Sequence, residues 1–175
     1  MRRTRLVPFL CALALAAALP AAGAAQESSM RGTFTLNRQA SDNVRTAIDA
    51  AVARMSFVTR PIARGRLVRT NPMYERVRID FDQRNVTVTL ENRSPIVSPA
   101  NGAPIKWRRE DGEVFDLSTE WENGRLEQTF KAEDGQRLNV YSISADGNTL
   151  TMNVTITSPR LPRPLTYKLV YNRAS

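Results

Sequence analysis

Apolar and polar positions alternate along most of the chain from residue 74 onward. Val77, Ile79 and Phe81 share one face of an extended segment, with Arg76, Arg78 and Asp80 on the other. After a short turn at residues 82–84, Val86, Val88 and Leu90 repeat the pattern. Further apolar sets follow at Ile105 and Trp107, at Phe115, Leu117 and Trp121, and at Leu126 and Phe130. Leu150, Met152, Val154 and Ile156 form another set, and Leu165, Tyr167, Leu169 and Tyr171 the last. A period of two sends successive side chains to opposite faces, so each run reads as a strand with one apolar side. Residues 136–143 are ambiguous, because Leu138 and Val140 oppose Tyr141 and Ile143. With that segment included, eight strands fit between Tyr74 and Arg173.

The punctuation between these runs is regular. Asx-Gly pairs stand at Asn101-Gly102, Asp111-Gly112, Asn123-Gly124, Asp134-Gly135 and Asp146-Gly147, spaced by 10, 12, 11 and 12 residues. Such pairs accept the positive φ angles of tight hairpin turns, and at this spacing they predict an antiparallel meander over about 74–173. The segments 92–103 and 159–164, rich in Pro, read as irregular loops. Upstream, Gly32 to Asn37 reads as a short extra strand. Val44, Ala47, Ile48, Ala51, Val52 and Met55 recur at helical period, which predicts one amphipathic helix over about 42–58. Ser41 or Asp42 can cap its start, and Pro61 argues against continuation past Thr59. Residues 59–73 read as an arginine-rich connector with at most a short helical turn.

An even-numbered meander can close its first strand against its last, which removes exposed edges. The expected fold is therefore all-β: an up-and-down antiparallel barrel of about eight strands, with the N-terminal amphipathic helix packed over one end. The strand at 33–37 is then a ninth, which either adds at the seam or displaces one of the eight. A two-sheet sandwich is the competing architecture.

Composition narrows the chemistry. Across 175 residues there is no His and a single Cys, so there is no imidazole base, no Ser-His or Cys-His pair and no His-ligated metal. At 42% apolar the chain can build a core. Residues 1–25 read as a cleavable Sec-type signal peptide: Arg2, Arg3 and Arg5, an apolar stretch from Leu6 to Leu19, Pro20, then small residues through Ala25. The apolar stretch is shorter than the roughly 20 residues of a transmembrane helix, so no transmembrane anchor is expected. Cys11 lies within that stretch and would leave with it. Residues 26–175 form the expected mature domain, carrying 22 bases against 17 acids, a net charge of +5. A bacterial periplasmic or secreted location follows from this reading.

Gly32-Thr33-Phe34 at the first strand and Tyr171-Asn172-Arg173 at the last resemble the paired motif of lipocalin-like (calycin) barrels. In that family a Gly-x-Trp opens the first strand and an arginine near the end of the last packs on the aromatic. Residues Gly32–Asn37, Ser118–Phe130 and Tyr141–Val154 also resemble bacterial exported lipocalin-like domains. Here Phe replaces Trp, and a helix and connector follow the first strand. The resemblance implies a barrel with one mouth and a lipophilic guest.

Two groups of residues then stand out. The inward faces supply lumen candidates for a small hydrophobic or amphipathic ligand: Trp107, Phe115, Trp121, Gln128, Phe130, Tyr167 and Tyr171, with Thr119, Arg109 and Arg173 as further inward polar groups. A few convergent polar groups in an apolar cavity characterise small-molecule sites. The competing reading makes the tyrosines core residues and has Arg173 brace Phe34 through a cation–π contact. The second group is basic. Arg54, Arg60, Arg64, Arg66, Arg69, Arg76 and Arg78 lie within 25 residues that hold one acid, Glu75. Arginine binds phosphate and carboxylate bidentately, so an anionic envelope component or surface polymer is the alternative partner. A solvated arginine-rich surface is the plainer account. Nucleic acid is not expected, since the stretch lacks aromatics for base stacking. No phosphate loop or nucleophile elbow is present, and no inward carboxylate pair is found. The chain therefore reads as a non-enzymatic protein without cofactor or metal.

Overall fold

In the computed structural model, which describes residues 29–174, the alternating runs resolve into ten antiparallel strands and two helices. The signal-peptide reading of residues 1–25 lies outside the described residues. Strand β1 (Gly32–Leu36) is followed by helices α1 (Val44–Val52) and α2 (Thr59–Thr70). Then come β2 (Arg76–Phe81), β3 (Asn85–Leu90), β4 (Ile96–Pro99), β5 (Ile105–Arg108) and β6 (Val114–Glu122). Strands β7 (Arg125–Ala132), β8 (Gly135–Ile143), β9 (Thr149–Thr157) and β10 (Leu165–Arg173) complete the chain. The sheet runs β4-β3-β2-β1-β10-β9-β8-β7-β6-β5.

The expected up-and-down connectivity is present, with ten strands in place of about eight. Strand β1 inserts at the seam, pairing with β2 on one side and β10 on the other. Strand β4 lies inside the stretch read as a loop. It is four residues long and pairs only with β3. A strand hydrogen-bonded on one side tolerates proline, which is why Pro99 sits at its end. Strands β4 and β5 do not pair with each other, so the ring of backbone bonds is broken there. Side chains and a turn bridge the break: Ser98 and Thr119 hydroxyls lie 2.6 Å apart, Gly102 N–H donates to Thr119 C=O, and Asn101 bridges Glu120.

The helical region also differs from the single long helix expected. Helix α1 stops at Val52. Its N-cap is Asn43, whose side chain accepts the Thr46 amide. The expected caps Ser41 and Asp42 instead accept the backbone amides of Val170 and Lys168, extending the edge of β10. A second helix follows, because Ser56 Oγ accepts the Thr59 amide and Pro61 falls in the first turn, where helical N–H groups have no intrahelical partner. Pro61 therefore begins α2. Helix α1 buries Val44, Ile48, Ala51 and Val52, whereas α2 buries no residue.

The two ends of the barrel are built differently. Toward the end away from the helices, here the base, Phe34, Phe81, Leu126, Tyr141, Leu150 and Tyr171 pack with Met30, and with Trp121 against them, in a core that continues to Val44, Ile48 and Ala51 of α1. Arg173 closes it from below, its guanidinium 4.6 Å from the Phe34 ring centre. The same guanidinium donates to the carbonyls of Ser29, Arg31 and Gly147. A Cβ on Gly32, whose φ is 146°, would meet Arg173 Nη1, so this position excludes a larger residue. The pairing implied by the Gly-x-aromatic and terminal arginine motifs is thus present, with Phe34 as the aromatic.

Candidate functional site: a cavity at the helical end

Above the base the barrel is hollow. A cavity of about 650 Å3 opens at the end covered by α2, within the range of small-molecule sites. Leu90, Ile96, Trp107, Phe115, Phe130 and Ile156 form its apolar wall. The aromatic part is a cluster in which Trp107 meets Phe130 edge-on at 5.2 Å and Phe115 at 5.8 Å between ring centres. Helix α2 roofs it with Thr59, Ile62, Ala63, Arg66 and Leu67, which recur at helical period. Ile62 is 71% exposed although it faces the barrel, since the space below it holds no side chain.

The rim is charged and internally paired. Arg66 lies within ion-pair distance of Glu113 (3.4 Å) and Asp134 (3.8 Å), and Arg160 approaches Asp134 at 3.3 Å. Arg109 pairs with Asp111 at 2.7 Å and with Glu113, and stacks 5.1 Å over Phe115. The hydrogen bond from Arg109 holds the Asp111 carboxyl below the usual range.

Deeper in, a polar network joins α2 to the strands. Arg137 Nε donates to Asn139 Oδ1 at 2.8 Å, and its Nη1 donates to Asn71 Oδ1 at 2.7 Å. The same Asn71 oxygen accepts the Tyr167 hydroxyl at 3.0 Å, while Asn71 Nδ2 donates to Leu67 C=O. Asn139 Nδ2 reaches the Tyr141 hydroxyl at 3.4 Å. Burial pushes the Tyr141 phenol up to about 12 and raises Tyr171 as well. The Tyr171 hydroxyl is buried with no hydrogen-bond partner among the described residues.

The structure separates the residues singled out from sequence. Trp107, Phe115 and Phe130 come together in the cavity wall. Trp121 lies in the base, 5.6 Å from Phe81. Gln128 is buried beside Thr119 at the β4–β6 junction. Tyr167 is buried against Asn71, and Tyr171 in the base core. Among the arginines, Arg66 lines the cavity. Arg64 pairs with Asp49, lowering that carboxyl through their hydrogen bond. Arg60 donates to Met55 C=O, and Arg69 is exposed on α2. Arg76 and Arg78 belong to the outer face of β2. Sequence reasoning passed over Asn71, Arg137 and Asn139. For the last two the signal lay in β8, whose inward face is Arg137, Asn139 and Tyr141; the apolar residues at 138 and 140 point outward and masked it.

Solved structures share this architecture at low identity. The REP1-NXSQ fatty acid transporter is 12% identical with a TM-score of 0.55, the match covering 85% of this chain and 98% of that one. The Echinococcus granulosus fatty-acid-binding protein 1 is also 12% identical at a TM-score of 0.55, over 85% and 99%. A SAHS protein from Ramazzottius varieornatus is 9% identical with a TM-score of 0.58, over 83% and 96%. No protein-family model matches the sequence, and no curated protein matches it. The fold is that of lipocalin-like, or calycin, barrels.

Proposed function

We propose that this protein is an exported, non-enzymatic binder of a small hydrophobic or amphipathic molecule. The observation that carries the reading is the 650 Å3 cavity, apolar on its walls and open beside a helix that buries no residue of its own. Burial of apolar ligand surface there would release about 25 cal/mol per Å2, and Ile62 would be covered in the same step. Export rests on the amino-terminal pattern of residues 1–25. The solved barrels whose names describe fatty-acid transport or binding add support, although one fold hosts many functions.

The two tryptophans give a direct test. Trp107 is in the cavity wall and Trp121 in the base. In a W121F variant, titration with an apolar ligand should change the remaining tryptophan emission and saturate. The W107F variant should show little change. Emission that responds equally in both variants, or in neither, would count against ligand residence in the cavity.

A second reading is supported by surface chemistry. Phe57 is 87% and Val58 58% exposed in the link between the helices, beside Arg54 and Arg60. Such a basic, apolar corner suits an anionic envelope component or surface polymer. Replacing Arg54, Arg60 and Arg69 together by Glu should abolish retention on anionic vesicles at low salt. Unchanged retention would remove this reading.

A further inference from the structure

Arg137 is the one arginine of the cavity wall that has no carboxylate within 4.0 Å among the described residues. Its neighbours in that wall are all engaged: Arg66 with Glu113 and Asp134, Arg109 with Asp111 and Glu113, Arg160 with Asp134. Arg137 is half-buried, and its two protein partners are neutral amide oxygens on Asn139 and Asn71. A charge removed from water is costly unless an opposite charge compensates it. Here the compensation is missing, while the side chain is held in place from two sides. Asn139 fixes Nε from within β8, and Asn71 fixes Nη1 from the end of α2. Asn71 is itself held by the Tyr167 hydroxyl and by Leu67 C=O. Among the described residues, Nη2 makes no hydrogen bond.

The position is as informative as the pairing. In the sheet, Arg137 stands between Phe130 on β7 and Ile156 on β9, both of which line the cavity. A fixed cation is thus set into an apolar wall, with the aromatic cluster of Trp107, Phe115 and Phe130 on one side of it. The base below is filled by Tyr141, Tyr171 and Phe34, so a charged head group cannot lie deeper. Burial raises the Tyr141 and Tyr171 phenols of this core, and the Arg137 charge opposes that rise in part. We propose that Arg137, pre-set by Asn71 and Asn139, binds the oxyanion head group of an amphiphile whose apolar chain lies against Trp107, Phe115 and Phe130. The planar guanidinium fork matches a carboxylate or phosphate oxygen pair. This assignment rests on the cavity being the ligand site and narrows the ligand to one with a single anionic head.

The test compares dodecanoate with its methyl ester, equal in chain and different in charge, by calorimetric titration of the full protein. A hydrogen bond to a charged group contributes about 1.5–3 kcal/mol, so the acid should bind about tenfold to a hundredfold more tightly. In R137Q that preference should vanish while ester binding is retained, a result that a merely structural role for Arg137 would not give. R137K, which keeps the charge without the fork, should lie between, and it serves if R137Q fails to fold. Equal affinity for acid and ester in the unaltered protein would overturn the head-group assignment and leave the cavity reading intact. So would a preference that survives in R137Q. Binding of neither compound would overturn both. Acetate binding as tightly as dodecanoate would identify a free small-anion site and overturn the amphiphile.

Discussion

The base and the mouth of this barrel are made from the same strands and share the same hydrogen-bonded wall, yet one is solid and the other hollow. In the base, Phe34, Tyr141 and Tyr171 are completely buried and the terminal arginine seals them from water. At the mouth, comparably large side chains stand against the wall and leave 650 Å3 between them. The difference comes from what projects inward at each level. Strands β1, β8 and β10 send Phe34, Tyr141 and Tyr171 across the lower lumen, where they meet. Higher up, β1 has given way to the segment leading into α1, and α2 lies across the opening with none of its residues buried, only Leu67 and Val68 packing partly on the core. The packed core fills the base and reaches up to α1, and the vacancy lies under α2.

That contrast can be broken most strongly at the base. Phe34→Ala should cost about 3–5 kcal/mol in urea unfolding, since it removes a fully buried ring and leaves the Arg173 guanidinium without its face. Phe130→Ala, in the cavity wall, should cost about 2 kcal/mol, because fewer contacts are lost where space already exists. Equal costs would show that the mouth is packed as tightly as the base. Alkali probes the same division at intermediate strength. The folded state favours the protonated Tyr141 phenol, whose pKa rises from 10.0 to about 12. This contribution is intact below pH 10 and is lost as the pH rises toward 12, about 3 kcal/mol in all. Unfolding curves measured from pH 9 to 12 should show that loss, and Y141F should reduce it.

Much of the base was legible in the sequence and much of the mouth was not, for physical reasons. Base strands alternate cleanly because water lies on one side and a dry core on the other, so Leu150, Met152 and Val154 declare their face. The Gly32, Phe34 and Arg173 set could be read because a tight steric fit leaves a motif. A cavity relaxes these rules. Strand β8 carries Arg137 and Asn139 inward, since the lumen there is not a packed core, and Leu138 and Val140 then outvote them in any search for an apolar face. Helix α2 escaped notice because a roof over empty space needs no continuous apolar stripe, and because Pro61, fit for a helical first turn, reads equally as an end. Strand β4 was hidden by its length of four residues and its flanking prolines. The lumen candidates divide along a similar line: Trp107, Phe115 and Phe130 reached the cavity wall, Trp121 and Tyr171 joined the base, and Tyr167 was taken up by the buried polar network at Asn71.

The seam has a consequence in time. Phe34 pairs with Arg173 and Leu36 with Tyr171, so the first strand of the described chain has the last as its neighbour. A ribosome synthesising this polypeptide in order produces β1 long before β10 exists, and β2 can occupy only one of its edges. Closure of the ring must wait until residue 173 has emerged. Throughout translation the growing chain is an unsealed ribbon with an unpaired border, exposed to mispairing until its last strand arrives.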